Sequence, residues 1–530
     1  MEVSFEVALC VSVVGMLSWI AFKYSVVWWK WERVRRKLRV QGIRGPPPSI
    51  VYGNNVSEMR KLQSQPKSAP LLSSIHSHLL MAHDYNSNLF PYFEHWRKQY
   101  GRQYTCSTGE KQCLFVNEPE MLREMNQCFT LNFGKPSDTT NILAPLLGNG
   151  ILRANGLSWV HQKKLLADEF FMDKVKDMVG LMVESARPLL SKWDQSINSE
   201  NGFGEVEVEA DLRSFSADVI SRFCFGHSYS KGEEIISKLR SIMKLMFNKG
   251  GFIFGLSSFR GMFDLLTRKE NEVSKLEREI ESLIWELVDK RKQEQHSSET
   301  RSSKKDLMHL LLEASKSDEN VGQEFSKKFI VDNCKNIYFA GHETTAPAAT
   351  WCLMLLALHP EWQTSIREEI AQVCPNGIPD ADSLPNLKKM TMVIHESLRL
   401  FPPGPFLSRE AYEDIQIGNL LVPKGVCLWV LIPMLHRDPV IWGPDANEFQ
   451  PERFNDGVSK ACKFPNAYVP FGVGNRLCLG KYFAMVELKV VPALIISRFS
   501  FSLSPNYKHS IVYRISLQPE YGVPLIVQRI

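Results

Sequence analysis

The stretch Pro470-Phe471-Gly472-Val473-Gly474-Asn475-Arg476-Leu477-Cys478-Leu479-Gly480 gathers residue types that could do chemistry together. A single cysteine closes a glycine-rich loop just before a helix-like run, Lys481 to Ile495. At such a position the helix dipole and free backbone N–H groups favour a thiolate. Gly472 and Gly474 permit φ > 0 and a tight bend beneath a flat ligand. Phe471 offers a flat apolar face, and Arg476 a fixed charge suited to a carboxylate. A second group is Ala340-Gly341-His342-Glu343-Thr344-Thr345, in the middle of a helical pattern from Ser326 to His359. Glycine and adjacent threonines are poor helix formers, so something other than helix stability placed them there. The Thr344 hydroxyl can hold and donate a proton, and the Glu343 carboxyl can resupply it from water. A third group pairs charges: Glu396 and Arg399 stand at i and i+3 on one helix, with Arg453 downstream in Pro451-Glu452-Arg453-Phe454. Alone, such a pair is also an ordinary surface salt bridge.

A thiolate, a flat hydrophobic face and an arginine for a carboxylate together describe a haem seat with one axial cysteine. The common alternative for a single free cysteine is burial as an inert side chain. The spacing Phe471-x-x-Gly474-x-Arg476-x-Cys478-x-Gly480 resembles the haem-thiolate signature of the cytochrome P-450 superfamily. The resemblance implies haem b as cofactor, with Cys478 as axial ligand to its iron and Phe471, Gly472 and Arg476 around it. It implies an acid–alcohol pair, Glu343 and Thr344, delivering protons to iron-bound dioxygen. Ala340 and Gly341 then leave room over the iron, and Glu396, Arg399 and Arg453 form a structural network. Trp159-Val160-His161-Gln162-Lys163 is similar to the family's Trp-x-x-x-Arg propionate pair, with Lys163 in place of arginine. Lysine keeps the charge and loses the bidentate fork. Arg409 is implied as a second propionate donor, and Phe339, Phe406 and Leu407 as substrate contacts.

These groups need elements to position them. Length alone suggests about three domains. The resemblance spans nearly the whole chain and implies one mainly α-helical unit with a small β-rich part, preceded by one N-terminal transmembrane helix. The expected division is an anchor over 1–29, a basic and proline-rich hinge over 30–48 and a catalytic domain over 49–530. Val7 to Phe22 is uncharged and apolar; Lys23 can snorkel, and Tyr24 to Trp29 extends the segment towards the length of a span. Trp28, Trp29 and Trp31 read as an interfacial belt, and the basic run from Lys30 to Arg39 places the body in the cytosol. The sequon Asn55-Val56-Ser57 is then silent. Pro46-Pro47-Pro48 stiffens the spacer.

Further on, Leu89 to Tyr100 reads as a helix, Gln103–Cys106 and Gln112–Val116 as a hairpin, and Gly134 to Asn155 as a loop. Lys244 to Leu266 reads as the mobile roof of a hydrophobic pocket, a surface that dips into lipid or ordinary core, and Arg291 to Lys305 as a polar surface loop. Pro347 lacks an N–H and clashes with the Glu343 carbonyl, so the long helix should kink or open there.

Composition excludes other classes. With 63 basic and 58 acidic residues, the chain is too balanced for a nucleic-acid binder. Eleven scattered cysteines without a C-x-x-C pair make neither a disulfide framework nor a zinc site. The expected partners are a NADPH-cytochrome P-450 reductase, dioxygen, membrane lipid of the endoplasmic reticulum and a small apolar terpenoid. Electrons from NADPH arrive through the reductase, and Lys163, Lys164, Lys481 and Lys489 are candidates to steer it. Gln41 to Pro47, Ala217 to Arg222, Cys224 to Gly232 and Val331-Asp332-Asn333-Cys334-Lys335 resemble a plant subgroup of gibberellin-oxidising enzymes, with triterpenoid oxidases among its relatives. A reductase-independent haem-thiolate isomerase or dehydratase and a non-catalytic membrane scaffold are the alternatives.

Overall fold

The computed structural model describes residues 2–49, 53–54, 85–108, 111–197, 201–226, 229–247, 269–297, 307–316 and 323–530. The expected roof at 248–266 and the sequon at 55–57 lie outside the described residues.

The helices that matter below are α1 (Glu2–Val40), α2 (Ala144–Leu147), α3 (Gly156–Leu166), α4 (Val208–Phe225), α5 (Tyr229–Phe247), α6 (Lys269–Ser297), α7 (Gln323–Leu358), α8 (Lys388–Leu400) and α9 (Lys481–Ile496). A smaller β part accompanies them. Its main sheet has the order β1 (Pro48–Ser49), β2 (Gly53–Asn54), β3 (Gln103–Thr108), β4 (Lys111–Val116), β10 (Val426–Leu431), β7 (Phe406–Ala411), β5 (Phe133–Gly134). The hairpin β3–β4 runs antiparallel, β4 pairs in parallel with β10, and β10 pairs antiparallel with β7, setting Leu428 opposite Arg409. A three-stranded sheet joins β11 (Phe499–Leu503), β14 (Pro524–Arg529) and β6 (Phe203–Glu207). Two hairpins remain, β8 (Ile415–Ile417) with β9 (Leu420–Val422), and β12 (Ile511–Arg514) with β13 (Ser516–Pro519).

The long helix α7 is the axis of the core. Trp351 is fully buried and stacks on Phe401 at 4.5 Å, which in turn stacks on Tyr85 at 5.7 Å. Trp351 Nε1 also donates to Leu517 O at 3.0 Å, tying α7 to β13. Helical residues continue on both sides of Pro347. The helix therefore does not break there, although the Glu343 carbonyl loses its donor.

Two expectations need correction. The segment 134–155 is not plain loop, since it folds two short helices, Ser137–Ile142 and α2. Helix α6 runs on to Ser297, through residues assigned to a polar loop. Polarity all round does not forbid a helix when charged side chains find neighbours along it. Here Lys292 Nζ lies 4.4 Å from the Trp285 ring centroid. The expected membrane span is a separate matter: no helix among the described residues is long and apolar enough to cross a membrane. Helix α1 nonetheless displays exposed Val11, Val14, Met16, Leu17, Trp19 and Phe22. Its far end is different: Trp31, Arg35 and Leu38 are buried, and Glu32 is held below the usual carboxylate range by Arg35, Arg39 and Arg36, against the effect of burial.

Candidate functional site

The cysteine loop takes the bend that its glycines allow. Gly472 and Gly474 have φ of 80° and 65°, in the left-handed region. The Cys478 N–H donates to Phe471 O at 2.8 Å and closes the loop. Cys478 is surrounded by protein yet keeps accessible surface. Burial pushes the thiol up; the Gly480 N–H, Lys135 and Lys481 pull the other way. Burial therefore outweighs the helix-end effect expected of this cysteine.

Three cations converge beside it. Arg476 sits 3.9 Å from the centroid of the Trp159 ring and donates to Ala154 O and Asn155 Oδ1, both at 2.8 Å. Arg409 is buried and donates to Ser408 O at 2.8 Å. Lys135 is the third, and nothing in the local pattern marked it. Burial lowers Arg409 to about 10. Burial and Arg409 lower Arg476 to about 9. Burial, Arg409 and Arg476 lower Lys135 to about 7. None of the three makes a salt bridge to a carboxylate among the described residues. Lys163, by contrast, donates to Asn475 O at 3.0 Å and lies 5.1 Å from the Trp159 centroid, bracing the loop's backbone.

The proton-bearing pair divides between two surroundings. Thr344 is half-buried, and its Oγ1 donates to Ala340 O at 2.8 Å. Glu343 is 2% exposed and points elsewhere: its carboxylate accepts from Arg213 Nη1 at 3.3 Å, from Ser516 Oγ at 3.3 Å and from Gln518 Nε2. Burial raises its pKa, while Arg213, Arg240 and the two hydrogen bonds hold it down. His342 stays neutral, lowered to about 3 by burial, Arg213 and Arg240. Gly341 also departs from expectation. A Cβ there would lie 2.6 Å from Ile220 Cδ1, so its missing side chain admits the close packing of α4 on α7.

The network of Glu396, Arg399 and Arg453 assembles as expected. Glu396 and Arg399 are both fully buried and bridge bidentately at 2.6 and 2.7 Å. Arg453 Nε lies 3.6 Å from Glu396 Oε1. The remaining Arg399 donors hold His436 O, Ala446 O and Glu448 O. His436, lowered by burial to about 3, donates from Nδ1 to Arg399 O and accepts the Val469 N–H at Nε2. That chain of bonds ends two residues before Phe471, so the network fixes the approach to the cysteine loop.

The residues expected to contact substrate sit in an aromatic cluster. Phe406 meets Phe90 at 5.3 Å, Trp429 at 5.4 Å and Tyr513 at 5.6 Å, with Leu407 buried and Phe339 half-buried on α7. Of the four lysines suggested for docking, Lys164 is exposed, whereas Lys163 and Lys489 spend their ammonium groups on Asn475 O and Leu384 O. Asp138, Glu410 and Cys427 approach one another, but Glu410 already accepts from Lys111, Ser137 N and Ser137 Oγ, so its charge is satisfied.

A cysteine on a bent loop, three nearby cations that meet no carboxylate among the described residues, and a long helix carrying a hydroxyl beside a carboxyl are the parts of a haem-thiolate site. The family model described as Cytochrome P450 matches residues 66–523, and the chain belongs to that family. Its plant relatives match almost end to end. It is 50% identical to Cytochrome P450 714A2 of Arabidopsis thaliana, over 98% of this chain and 97% of the relative. It is 45% identical to Cytochrome P450 714C2 of Oryza sativa subsp. japonica (99% and 98%) and 40% identical to Cytochrome P450 714B3 of Zea mays (100% and 97%). The protein is therefore a monooxygenase-class oxidoreductase whose family binds haem through a cysteine thiolate. The site fits that group. Three deep cations without a carboxylate suit a dianionic rim, and the accessible thiol suits its metal.

Proposed function

We propose that this protein is a membrane-anchored monooxygenase that hydroxylates or epoxidises a terpenoid, a gibberellin or related diterpenoid before a triterpenoid. The observation that carries the haem-thiolate reading is the cluster of Arg409, Arg476 and Lys135 beside Cys478. In this reading Cys478 ligates the iron, and the three cations receive the propionates. The bound haem supplies dioxygen activation and transfer of one oxygen atom, with electrons from NADPH through a reductase.

The remaining chemistry belongs to the side chains. Thr344 holds a proton at Oγ1, facing the Ala340 carbonyl. Glu343 reloads it after turning from Arg213 and Gln518; burial makes its carboxyl readier to carry a proton than an exposed glutamate. Ser516 and Gln518 link Glu343 to the hairpin β12–β13. The wall of Phe90, Phe406, Trp429 and Tyr513 excludes water and favours a rigid apolar substrate. Substrate class rests on the plant relatives and the subgroup stretches, including Val331 to Lys335.

The exposed apolar flank of α1, followed by basic residues, supports an anchor over 1–29 in the endoplasmic reticulum membrane, a connector over 30–48 and a cytosolic catalytic domain over 49–530. The test is incubation of microsomes containing the protein with NADPH, reductase and a panel of gibberellins and triterpenoids, read by mass spectrometry. A gibberellin gaining one oxygen supports the proposal. Product formed without NADPH would instead identify an isomerase or dehydratase, and oxidation of triterpenoids alone would remove the gibberellin reading.

A further inference from the structure

The stretch Val331 to Lys335 resembles a subgroup signature but has no part in proton delivery or haem binding. On α7, it and the following turn bury a polar face: Asn333 and Asn336 are fully buried, and Asp332 and Lys335 are 4% exposed. Burying four polar side chains costs free energy unless each is hydrogen-bonded. Their partners are backbone groups of one segment, 145–152. Asp332 Oδ2 accepts the Asn149 N–H at 2.7 Å, Asn333 Oδ1 the Ile151 N–H at 3.1 Å and Asn336 Oδ1 the Leu152 N–H at 2.8 Å. In return Asn336 Nδ2 donates to Leu147 O at 2.6 Å, and Lys335 Nζ to Pro145 O at 3.3 Å. From α3, buried Gln162 donates to Asn149 O at 3.1 Å.

Two glycines make the fit close. Gly148 has φ of 54°, and a Cβ there would overlap the Asp332 carboxylate. A Cβ at Gly150 would lie 2.5 Å from Asn336 Nδ2. The segment is also tied at both flanks to the cation cluster. Asn155 Oδ1 accepts from Arg476 at 2.8 Å and from the Lys135 N–H at 2.9 Å, and Asn155 Nδ2 donates to Tyr412 Oη at 2.7 Å. Residues 135–155 thus bridge from the haem-binding cations to α7, two turns before Thr344. Their apolar side chains pack on the core beside α7, with Leu146 and Leu147 buried and Leu143, Ile151 and Leu152 half-buried against it.

We propose that Asp332, Asn333 and Asn336 are positioning residues: a side-chain strap that fixes segment 144–152 as one wall of the substrate chamber, in register with Thr344 on the same helix. Asn336 precedes Thr344 by eight residues, about 12 Å along the axis. The strap sets how far the wall stands from the reacting centre, and so which part of an apolar ligand is presented. The inference needs the haem-thiolate fold but not a gibberellin substrate.

The test is hydrogen–deuterium exchange of the full-length, haem-loaded protein, followed over peptides spanning 145–155. A spectral titration with 4-phenylimidazole, which binds haem iron from the substrate side, accompanies it. Asn336→Ala and Asp332→Ala should speed exchange at Asn149, Ile151 and Leu152 about tenfold or more. They should also weaken 4-phenylimidazole binding severalfold with the carbon monoxide spectrum intact. Asp332→Asn, which keeps an acceptor for the Asn149 N–H, should restore most of the protection. If Asn336→Ala does not hold haem, Asn333→Ala, which removes the acceptor for the Ile151 N–H and a donor to Phe329 O within α7, is read in its place. Unchanged exchange in a haem-loaded variant overturns the strap. Faster exchange with unchanged 4-phenylimidazole binding overturns its role in positioning. Both readouts stand even where no gibberellin is turned over.

Discussion

Replacing Glu396 by alanine is the sharpest test of how the cysteine loop is held. Glu396 and Arg399 have no exposed surface, so neither charge is relieved by water. Glu396→Ala strands the Arg399 guanidinium, and breaking one side of a buried pair costs about 3–5 kcal/mol. It also orphans the Gln450 N–H, now bonded to Glu396 Oε1 at 2.8 Å, at a further cost of about 1–3 kcal/mol. Domains are stable by only about 5–15 kcal/mol, so the loss is a large share of the whole. The damage also has a direction, because Arg399 holds His436, Ala446 and Glu448, and His436 holds Val469. The expected outcome is protein that retains little haem, read as the carbon monoxide difference spectrum per mole of polypeptide. Glu396→Gln, which keeps an acceptor oxygen for Gln450, should fall between. Replacing Arg399 by methionine in the alanine background should not rescue, since three carbonyls would then lose their donor. A Glu396→Ala protein with full haem content and an unfolding midpoint within about 2 °C of the parent would refute the reasoning.

Thr344→Ala should leave the carbon monoxide spectrum in place, lower product per NADPH about tenfold or more and raise peroxide release; an unchanged ratio removes Thr344 from proton delivery. Lys135→Met should speed loss of haem to apomyoglobin about tenfold, as expected for losing one charge-assisted hydrogen bond, and an unchanged rate means that Lys135 does not hold a propionate. Glu487, buried against Ser216 Oγ, is pushed by burial up to about 8. It stays protonated in the folded protein while the unfolded chain ionises above its ordinary value of 4.5. Its contribution is therefore fully present below pH 4.5 and declines as pH rises towards 8, by about 3 kcal/mol at pH 7. Glu487→Gln should flatten that decline and gain stability at pH 7 to 8 but not at pH 4; parallel melting curves across that range would contradict it.

What could be read from the sequence was local. Cys478 and its glycines, Thr344 with Glu343, and Glu396 with Arg399 each lie within one turn or loop, where spacing determines who meets whom. The partners that decide their behaviour come from far away in the chain. Lys135 reaches Arg476 across 341 positions, which no periodicity signals. Arg213 and Gln518 claim Glu343 from α4 and β13, so a carboxyl assigned to proton supply proves to be anchored away from Thr344. Lys163 occupied the right helical position for a propionate, yet its ammonium finds the Asn475 carbonyl first. The Gly341 gap was assigned to the iron side because the motif suggested it, whereas helix packing supplies Ile220 in the direction a side chain would take. The polar run after Arg291 continues a helix to Ser297 for a simpler reason: composition reports solvation, not backbone geometry.

The foot of α1 bears on where the chain can be cut. Trp31, Arg35 and Leu38 press one helical stripe onto the body, and a Cβ at Gly425 would stand 3.2 Å from the Trp31 ring. Gln41 brackets Leu421 with two bonds of 3.0 and 2.7 Å, and Lys37 pairs with Asp414 at 2.9 Å. The proline-rich segment thus lies beyond a docked helix rather than at the edge of a free tether. A soluble form made by trimming to the prolines would uncover the bed of Leu38 and the β8–β9 hairpin, inviting aggregation. The better start lies upstream of Trp31, which removes the exposed apolar flank and keeps the last three turns of α1 as part of the folded body.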